Sequence, residues 1–152
     1  MFALVSAALA GPIAPGTVAL ADQVESDASK ALLVRLAASG SESPHTFDAA
    51  ATCESGAIAT LRLTELGLEG GADSTLSKDG TIQLQVWVTG RLVWRIEPCD
   101  GSAVKTTTLS TNTSESLPAK SLDEAKTLGE TRQRDGAVEA LVASTLGFLS
   151  PK

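Results

Sequence analysis

The chain has 152 residues, of which 43% are hydrophobic and 3% aromatic, and its formal net charge is −6. This length and composition suit one domain with a single aliphatic core. Because the charge balance is acidic and no cluster of Lys and Arg offsets it, we expect no nucleic-acid partner and no binding to an anionic membrane surface.

The N-terminal stretch, residues 1–21, has features of an export leader. It carries no charge and ends on Ala19-Leu20-Ala21, a small-x-small pattern that signal peptidase accepts, directly before the polar Asp22. It is too short and too interrupted by proline to span a bilayer, which takes roughly 20 apolar residues. We therefore interpret it as a leader cleaved after Ala21, with residues 22–152 as a single periplasmic or secreted domain. The alternative is an apolar strand or helix that stays in the fold, and the basic residues that usually open a leader are missing.

Cys53 and Cys99 are the only cysteines. In an exported chain an even pair is more often a disulfide than part of a metal site, because a tetrahedral metal needs four ligands and one histidine cannot complete the set. The sequence predicts a Cys53–Cys99 disulfide, which contributes about 4 kcal/mol through loop entropy. It predicts no metal and no other cofactor. In a reducing compartment the two thiols would instead be small buried hydrophobes.

The first half of the mature chain predicts one helix and one strand. The helix signal is ambiguous, because residues 31–36 would also serve as a buried strand. Phe47 is the expected anchor of the connection that follows. In chain order the predictions are a helix in the first part of 22–38, a connection over 39–53, a strand over 57–66 and a loop over 67–80.

The clearest pattern lies between Ile82 and Ile96. Apolar residues occupy the even positions and mostly polar residues the odd ones, which is the period of a half-buried strand. The parity continues through Gly90, so either one long strand bends there or a three-residue hairpin loop is centred there. In the hairpin, Trp87 would stand opposite Val93.

The C-terminal part predicts a further strand and a helix. An Asp-Gly turn at 100–101 leads into a Thr-rich strand over 103–111, and residues 110–116 are expected to form a polar loop. A capping box at residues 121–124 predicts a helix that begins at Leu122, with Gly136 as a point where it could split. The order of elements predicts an α+β fold in which a mostly antiparallel sheet of three to five strands packs against an N-terminal and a C-terminal helix.

No set of residues predicts catalysis. The only histidine, His45, lies in a Ser-Pro-His-Thr stretch and is expected to be a solvated loop residue, so catalytic triads lack members. Ser102 and Lys105 match an S-x-x-K tetrapeptide, but a strand sends them to opposite faces. The acids around the first loop lack calcium-binding spacing: Glu65, Glu69 and Asp73. We predict a non-enzymatic module, with a small hydrolase using an unfamiliar acidic or serine site as the alternative.

Trp87 is the large apolar side chain on the otherwise polar odd-numbered face of the main strand. With Arg91, Val93 and Arg95 it has the composition of a protein-binding hot spot. The sequence therefore predicts a partner-binding patch at these four residues. If helices covered that face as well, Trp87 would instead be core.

The pattern L-x-V-x-V-x-G-x-L-x-W-x-I over residues 84–96, then Asp-Gly, a Thr-rich strand and a capped Ala-rich helix, resembles small bacterial envelope proteins of α/β-sandwich type. Examples are the activator lipoproteins of penicillin-binding proteins and curli-secretion components. The resemblance covers residues 80–149 and implies a binding or assembly role with a protein of the cell envelope. Those families usually carry a lipidated Cys at the mature start, which this chain lacks, and none of their binding residues carries over by position.

Overall fold

The computed structural model describes residues 13–39, 43–76, 78–118 and 122–150. In chain order the elements are β1 (Gly16–Asp22), α1 (Asp27–Ala38), β2 (His45–Asp48), β3 (Ala59–Leu76), β4 (Ile82–Pro98), β5 (Lys105–Pro118) and α2 (Leu122–Leu149). The strands form one sheet in the order β2-β1-β3-β4-β5. β1 runs parallel to β2 and β3, and the long strands β3, β4 and β5 are antiparallel. The predicted α+β class, with an N-terminal and a C-terminal helix, is confirmed.

Both helices cover the same face of the sheet. Leu32 of α1 and Leu141 of α2 belong to one buried cluster that also contains Trp94 of β4. The two helices contact each other through Arg35, whose guanidinium donates to the Asp135 carbonyl at 3.1 Å. We call the covered side, which carries the even-numbered residues of β4, the core face. The other side, which carries the odd-numbered residues of β4, is the open face.

The predicted apolar row of β4 forms the centre of the core. Leu84, Val86, Val88, Leu92, Trp94 and Ile96 are all buried. The Trp94 indole N–H donates to the Thr145 hydroxyl of α2 at 2.9 Å, and this hydroxyl donates to the Leu141 carbonyl at 2.8 Å. The largest side chain of the core therefore has its only polar atom satisfied by the helix that covers it.

β4 is one continuous strand, so the hairpin alternative is wrong. Gly90 lies within β4, paired with Leu68 on one side and Thr111 on the other. An added Cβ at Gly90 would lie 3.1 Å from Leu141 Cδ1 of α2 and 3.0 Å from Thr111 Cγ2. The glycine is therefore needed for the close approach of a helix and a neighbouring strand, and it makes no turn.

Two stretches predicted as loops are strands. Residues 67–80 contain the second half of β3 and the turn that leads into β4, and residues 110–116 lie inside β5. Both stretches are rich in Gly, Ser and Thr, so their local signals are weak. They adopt strand geometry because β4, which lies between them, supplies hydrogen-bonding partners along its whole length.

The C-terminal helix begins at Leu122, as predicted, but Gly136 does not split it. The capping-box residue Ser121 lies outside the described residues. Val138, Leu141 and Leu149 lie in the core cluster on one side of the helix. Because these buried contacts follow Gly136 directly, they outweigh the cost of about 1 kcal/mol for one glycine in a helix.

The leader interpretation removes residues 16–21, which form all of β1 except Asp22. This strand pairs on both sides, with β2 and with β3. Val18, Ala19 and Leu20 are buried. Cleavage after Ala21 would take this interior strand out of the sheet. The leader over residues 1–21 stays a prediction, and its first twelve residues lie outside the described part of the chain.

His45 is buried and does not lie in a solvated loop. Its side chain is 1% exposed, and its Nε2 lies 3.1 Å from the Ile13 carbonyl oxygen. The prediction is wrong because His45 opens β2, opposite Gly16 of β1, and its ring lies 6.1 Å from that of Phe47. Phe47 is buried, as expected of an anchor.

Asp22 joins the end of β1 to the start of α1. Its Oδ1 accepts from the backbone N–H groups of Val24 and Glu25 at 2.9 and 3.0 Å, and its Oδ2 accepts from the Ser29 hydroxyl at 2.7 Å. Ser29 forms a capping box with Ser26, the N-cap of α1. Burial acts to raise the pKa of Asp22, but these hydrogen bonds and the charge of Lys30 outweigh it and hold the pKa below its usual value.

We expect a chain that begins at Asp22 to lose cooperative unfolding. Without β1, the strand β2 has no partner and β3 loses its parallel neighbour. A chain that begins at Ile13, which is buried, is the control and should unfold cooperatively. Thermal melts followed by circular dichroism distinguish the two, and a cooperative melt of the shorter chain would support cleavage after Ala21.

We expect Asp22→Ala to lower the free energy of unfolding by about 1–2 kcal/mol at pH 7. A folded-state pKa below the unfolded value stabilises the fold above the unfolded pKa of about 3.9, and this contribution disappears as the pH falls through the folded pKa. The difference between variant and wild type should therefore shrink between about pH 5 and pH 2. Urea unfolding at several pH values measures it. Asp73→Ala, an exposed change, is the control, and a difference independent of pH would contradict this role.

Candidate functional site

The open face of the sheet is the candidate site. No helix covers it within the described residues, since both pack on the core face. The odd-numbered positions of β4 alternate with buried ones, and β5 presents Ser, Thr and Asn beside them. Trp87 lies on this face and is half-buried. Trp87 is not part of the buried core cluster.

A glycine on the neighbouring strand makes room for the Trp87 ring. Trp87 pairs with Gly71 of β3 and with Ser114 of β5. An added Cβ at Gly71 would lie 2.4 Å from Trp87 Cζ2, which real Cβ atoms essentially never approach. The half-buried indole therefore lies against the backbone of β3 at Gly71. Gly71, predicted as a loop residue, instead seats this aromatic side chain.

The four residues predicted as one patch lie in a row along β4. At about 3.3 Å per residue, Arg91 is roughly 13 Å and Val93 roughly 20 Å from Trp87, with Arg95 farther still. Val93 is only 9% exposed. The structure therefore does not bring the four together. The compact patch depended on the hairpin, which would have folded Val93 back opposite Trp87.

The arginines of the row already have acidic partners. Arg91 lies 3.2 Å from a Glu65 carboxylate oxygen. Arg95 and Arg62 lie 3.7 and 2.7 Å from the two carboxylate oxygens of Glu97. Exposed pairs of this kind contribute about 0–1 kcal/mol each, so a partner can displace them at small cost.

The surroundings of Trp87 are acidic. The open-face positions of β3 next to Gly71 are Glu69 and Asp73, which pair with Thr89 and Gln85 of β4. Both carboxylates are exposed. A shallow groove of about 400 Å³ begins beside them and is lined by Glu65, Leu66, Gly67, Glu69, Thr89 and Arg91. This end of the open face thus combines an aromatic ring with carboxylates, a composition that suits a cationic group.

The predicted disulfide is present at one end of the sheet. The Cys53 and Cys99 sulfurs are bonded, with their Cα atoms 5.4 Å apart. The Cys99 backbone N–H also donates to the Ile58 carbonyl at 2.9 Å. The bond joins the connection before β3 to the end of β4. It lines a cavity of about 600 Å³ whose other walls include Ile13, Ala57, Ile96, Pro98 and Lys105.

The S-x-x-K tetrapeptide does not form a catalytic pair. The Ser102 hydroxyl donates to the Asp100 carboxylate within the turn before β5, and Lys105 opens the strand. Hydrogen bonds from the Ser102 hydroxyl and backbone N–H lower the pKa of Asp100. In the described part of the chain, no three His, Cys, Asp or Glu side chains cluster as metal ligands would. No helix there is long and apolar enough to cross a membrane.

Comparison with known proteins shows a similarity of fold at low sequence identity. No protein-family model matches the sequence, and no curated protein matches it. Lipoprotein B from Nitrosomonas europaea is similar in structure, with 13% identity, a TM-score of 0.53 and coverage of 97% of this chain and 92% of that one. A minor lipoprotein from Acinetobacter baumannii has 13% identity, a TM-score of 0.51 and coverage of 91% and 92%. Rare lipoprotein B from Shewanella oneidensis has 14% identity, a TM-score of 0.47 and coverage of 85% and 95%. At this identity, the first two show that the chain shares the fold of small bacterial lipoproteins.

Proposed function

We propose that this chain is a non-enzymatic binding or assembly module of the bacterial cell envelope, periplasmic or secreted, that binds a protein partner through the open face of its sheet. Two observations support an envelope location. The fold is that of bacterial lipoproteins, and the Cys53–Cys99 disulfide suits an oxidising compartment.

The observation that carries the proposal is the placement of Trp87. Its indole lies on the open face, seated over Gly71. Tryptophan is among the residues that contribute most to protein interfaces, because it buries a large rigid area. The row continues along β4 from this contact, where Arg91 and Arg95 lie in exposed ion pairs and Val93 between them is 9% exposed.

The acids beside Trp87 indicate the chemistry of the partner. Glu69 and Asp73 flank the ring, and the whole chain carries a net charge of −6. A partner segment with Lys or Arg would place its cation over the indole face and between carboxylates. Arg91 and Arg95 by themselves would suit an acidic partner, but they lie farther along β4 and already pair with Glu65 and Glu97.

The hydrolase alternative has less in its favour. The acids that it would use, Glu65, Glu69 and Asp73, are all exposed. Glu65 is also paired with Arg91. A general acid or base usually lies in a cleft where burial and a neighbouring group perturb its protonation.

We expect Trp87→Ala to weaken partner capture by about 2 kcal/mol, roughly thirtyfold in affinity, with little change in stability. Binding is measured by capturing proteins from a bacterial envelope extract on the immobilised full chain and quantifying them by mass spectrometry. Stability is measured by a thermal melt of each variant. Thr106→Ala, an exposed change on the same face, is the binding control. Trp94→Ala is the stability control and should cost about 3–5 kcal/mol through the cavity it leaves. Equal losses of stability in both tryptophan variants, or unchanged capture by Trp87→Ala, would overturn the proposal.

We expect Gly71→Ala to reduce capture of the same proteins although Trp87 itself is retained. The new methyl group would occupy the space of the indole and push the ring away from β3. Gly147→Ala, in α2 and away from the open face, is the control, since an added Cβ there has no neighbour within 4 Å. Trp87 fluorescence, read in a Trp94→Phe background, reports the displaced ring. An unchanged spectrum and unchanged capture in Gly71→Ala would show that this seating is unimportant.

A further inference from the structure

The strand β5 forms a long free edge of the sheet. It is the last strand in the order and pairs only with β4 among the described elements. It has 14 residues, which at about 3.3 Å per residue gives an edge of roughly 46 Å. The opposite edge strand, β2, has only four residues. An edge strand presents backbone N–H and C=O groups that can pair with another chain.

The β5 edge lacks most of the features that prevent such pairing. Natural edges are blunted by inward-pointing charges, by proline, by bulges or by short length. The pairing of β5 with β4 has no register shift, whereas that of β3 with β4 does. The only proline of β5 is its last residue, Pro118, and its only charged residues are Lys105 and Glu115. The stretch between these two charges is therefore neutral and free of proline, and the two charges, which point to the core face, are the only blunting feature of this edge besides its terminal proline.

We propose that two copies of this chain associate through antiparallel pairing of their β5 edges, which makes one ten-stranded sheet. The proposal is independent of the open-face function, since it uses the edge of the sheet. A two-fold axis perpendicular to the sheet relates the copies, so each face of one sheet continues into the same face of the other.

The two charges of β5 select one register. Lys105 pairs with Ile96 and Glu115 with Val86, so both charges are at core-face positions. When Ser110 of one copy stands opposite Ser110 of the other, Lys105 stands opposite Glu115 of the second copy. By symmetry the reverse pair forms at the same time. Directly opposite side chains of opposite charge stabilise antiparallel pairs.

The hydrogen-bonding capacity of the Glu115 carboxylate is only partly used within one chain. One of its carboxylate oxygens, Oε2, lies 3.6 Å from the Arg132 guanidinium. The other, Oε1, is buried and has no hydrogen-bond partner in the part of the chain that the structure describes. A lysine from a second copy would supply the donor that this carboxylate lacks, because an ammonium group carries three.

A charge-exchange experiment tests the register. Lys105→Glu alone places an acid opposite Glu115 of the second copy, and Glu115→Lys alone places a base opposite its Lys105. Each single variant should therefore dimerise at least about tenfold more weakly than wild type in sedimentation equilibrium, since both charge pairs become repulsive. A one-to-one mixture of the two variants restores both pairs and should recover wild-type affinity as a heterodimer. Lys78→Glu, an exposed change in the β3–β4 turn, is the charge-matched control and should leave the dimer unchanged.

Cysteine cross-linking gives a second measurement. Directly opposite residues in antiparallel strands have Cα atoms about 4.5–5.5 Å apart, within the range of a disulfide. Ser110→Cys should therefore form an intermolecular disulfide under mild oxidation, and Thr108→Cys, whose opposite residue is Asn112, should not. A wild-type chain that stays monomeric up to about 1 mM would overturn the proposal. So would a dimer that Ser110→Cys does not cross-link, or one in which Thr108→Cys cross-links instead. If the edge instead binds an extended strand of another protein, the purified chain will be monomeric in these experiments.

Discussion

The fold depends on the burial of one face of β4. This strand pairs along its length with β3 and β5, and its apolar row is covered by α2. Trp94 is the central contact, fully buried and hydrogen-bonded to Thr145 of the helix. A shift of one residue would turn this whole row to solvent, so the register of all three long strands is strongly specified. Gly90 contributes by its missing side chain, which lets α2 approach the sheet.

One-sided coverage of the sheet leaves two surfaces available. Both helices lie on the core face, and the open face carries polar and charged side chains with Trp87 among them. The edge strand β5 is polar enough to remain in water without a neighbour. The two surfaces differ in physical character. The open face would bind through side chains, and its charges make the binding sensitive to salt, whereas the edge would bind chiefly through backbone hydrogen bonds.

The N-terminal half is joined to this centre by a few specific contacts. β1 inserts between β2 and β3, and Asp22 at its end caps the turn into α1 with three hydrogen bonds. The disulfide closes a loop of sequence separation 46 between Cys53 and Cys99. Because parallel pairing requires distant segments to meet, such contacts offset the entropy lost when long loops close. Part of the neutral, apolar segment that resembles an export leader, residues 16–21, lies in an interior strand of the sheet.

The sequence by itself determined the α+β class, the core face of β4, the start of α2 and the disulfide. The first two depend on periodic patterns of apolar residues, the third on a capping signal, and the last on a single pair of cysteines. Tertiary structure alone decided the rest. Strands at residues 67–76 and 110–116 form only because β4 supplies their hydrogen bonds. Residues 16–22 become a strand because β2 and β3 flank them. Gly90 continues a strand instead of turning it because Leu141 of α2 needs its space. Trp87 could be placed on the odd-numbered face from sequence, but its acidic neighbours come from another strand, and no local pattern encodes that contact.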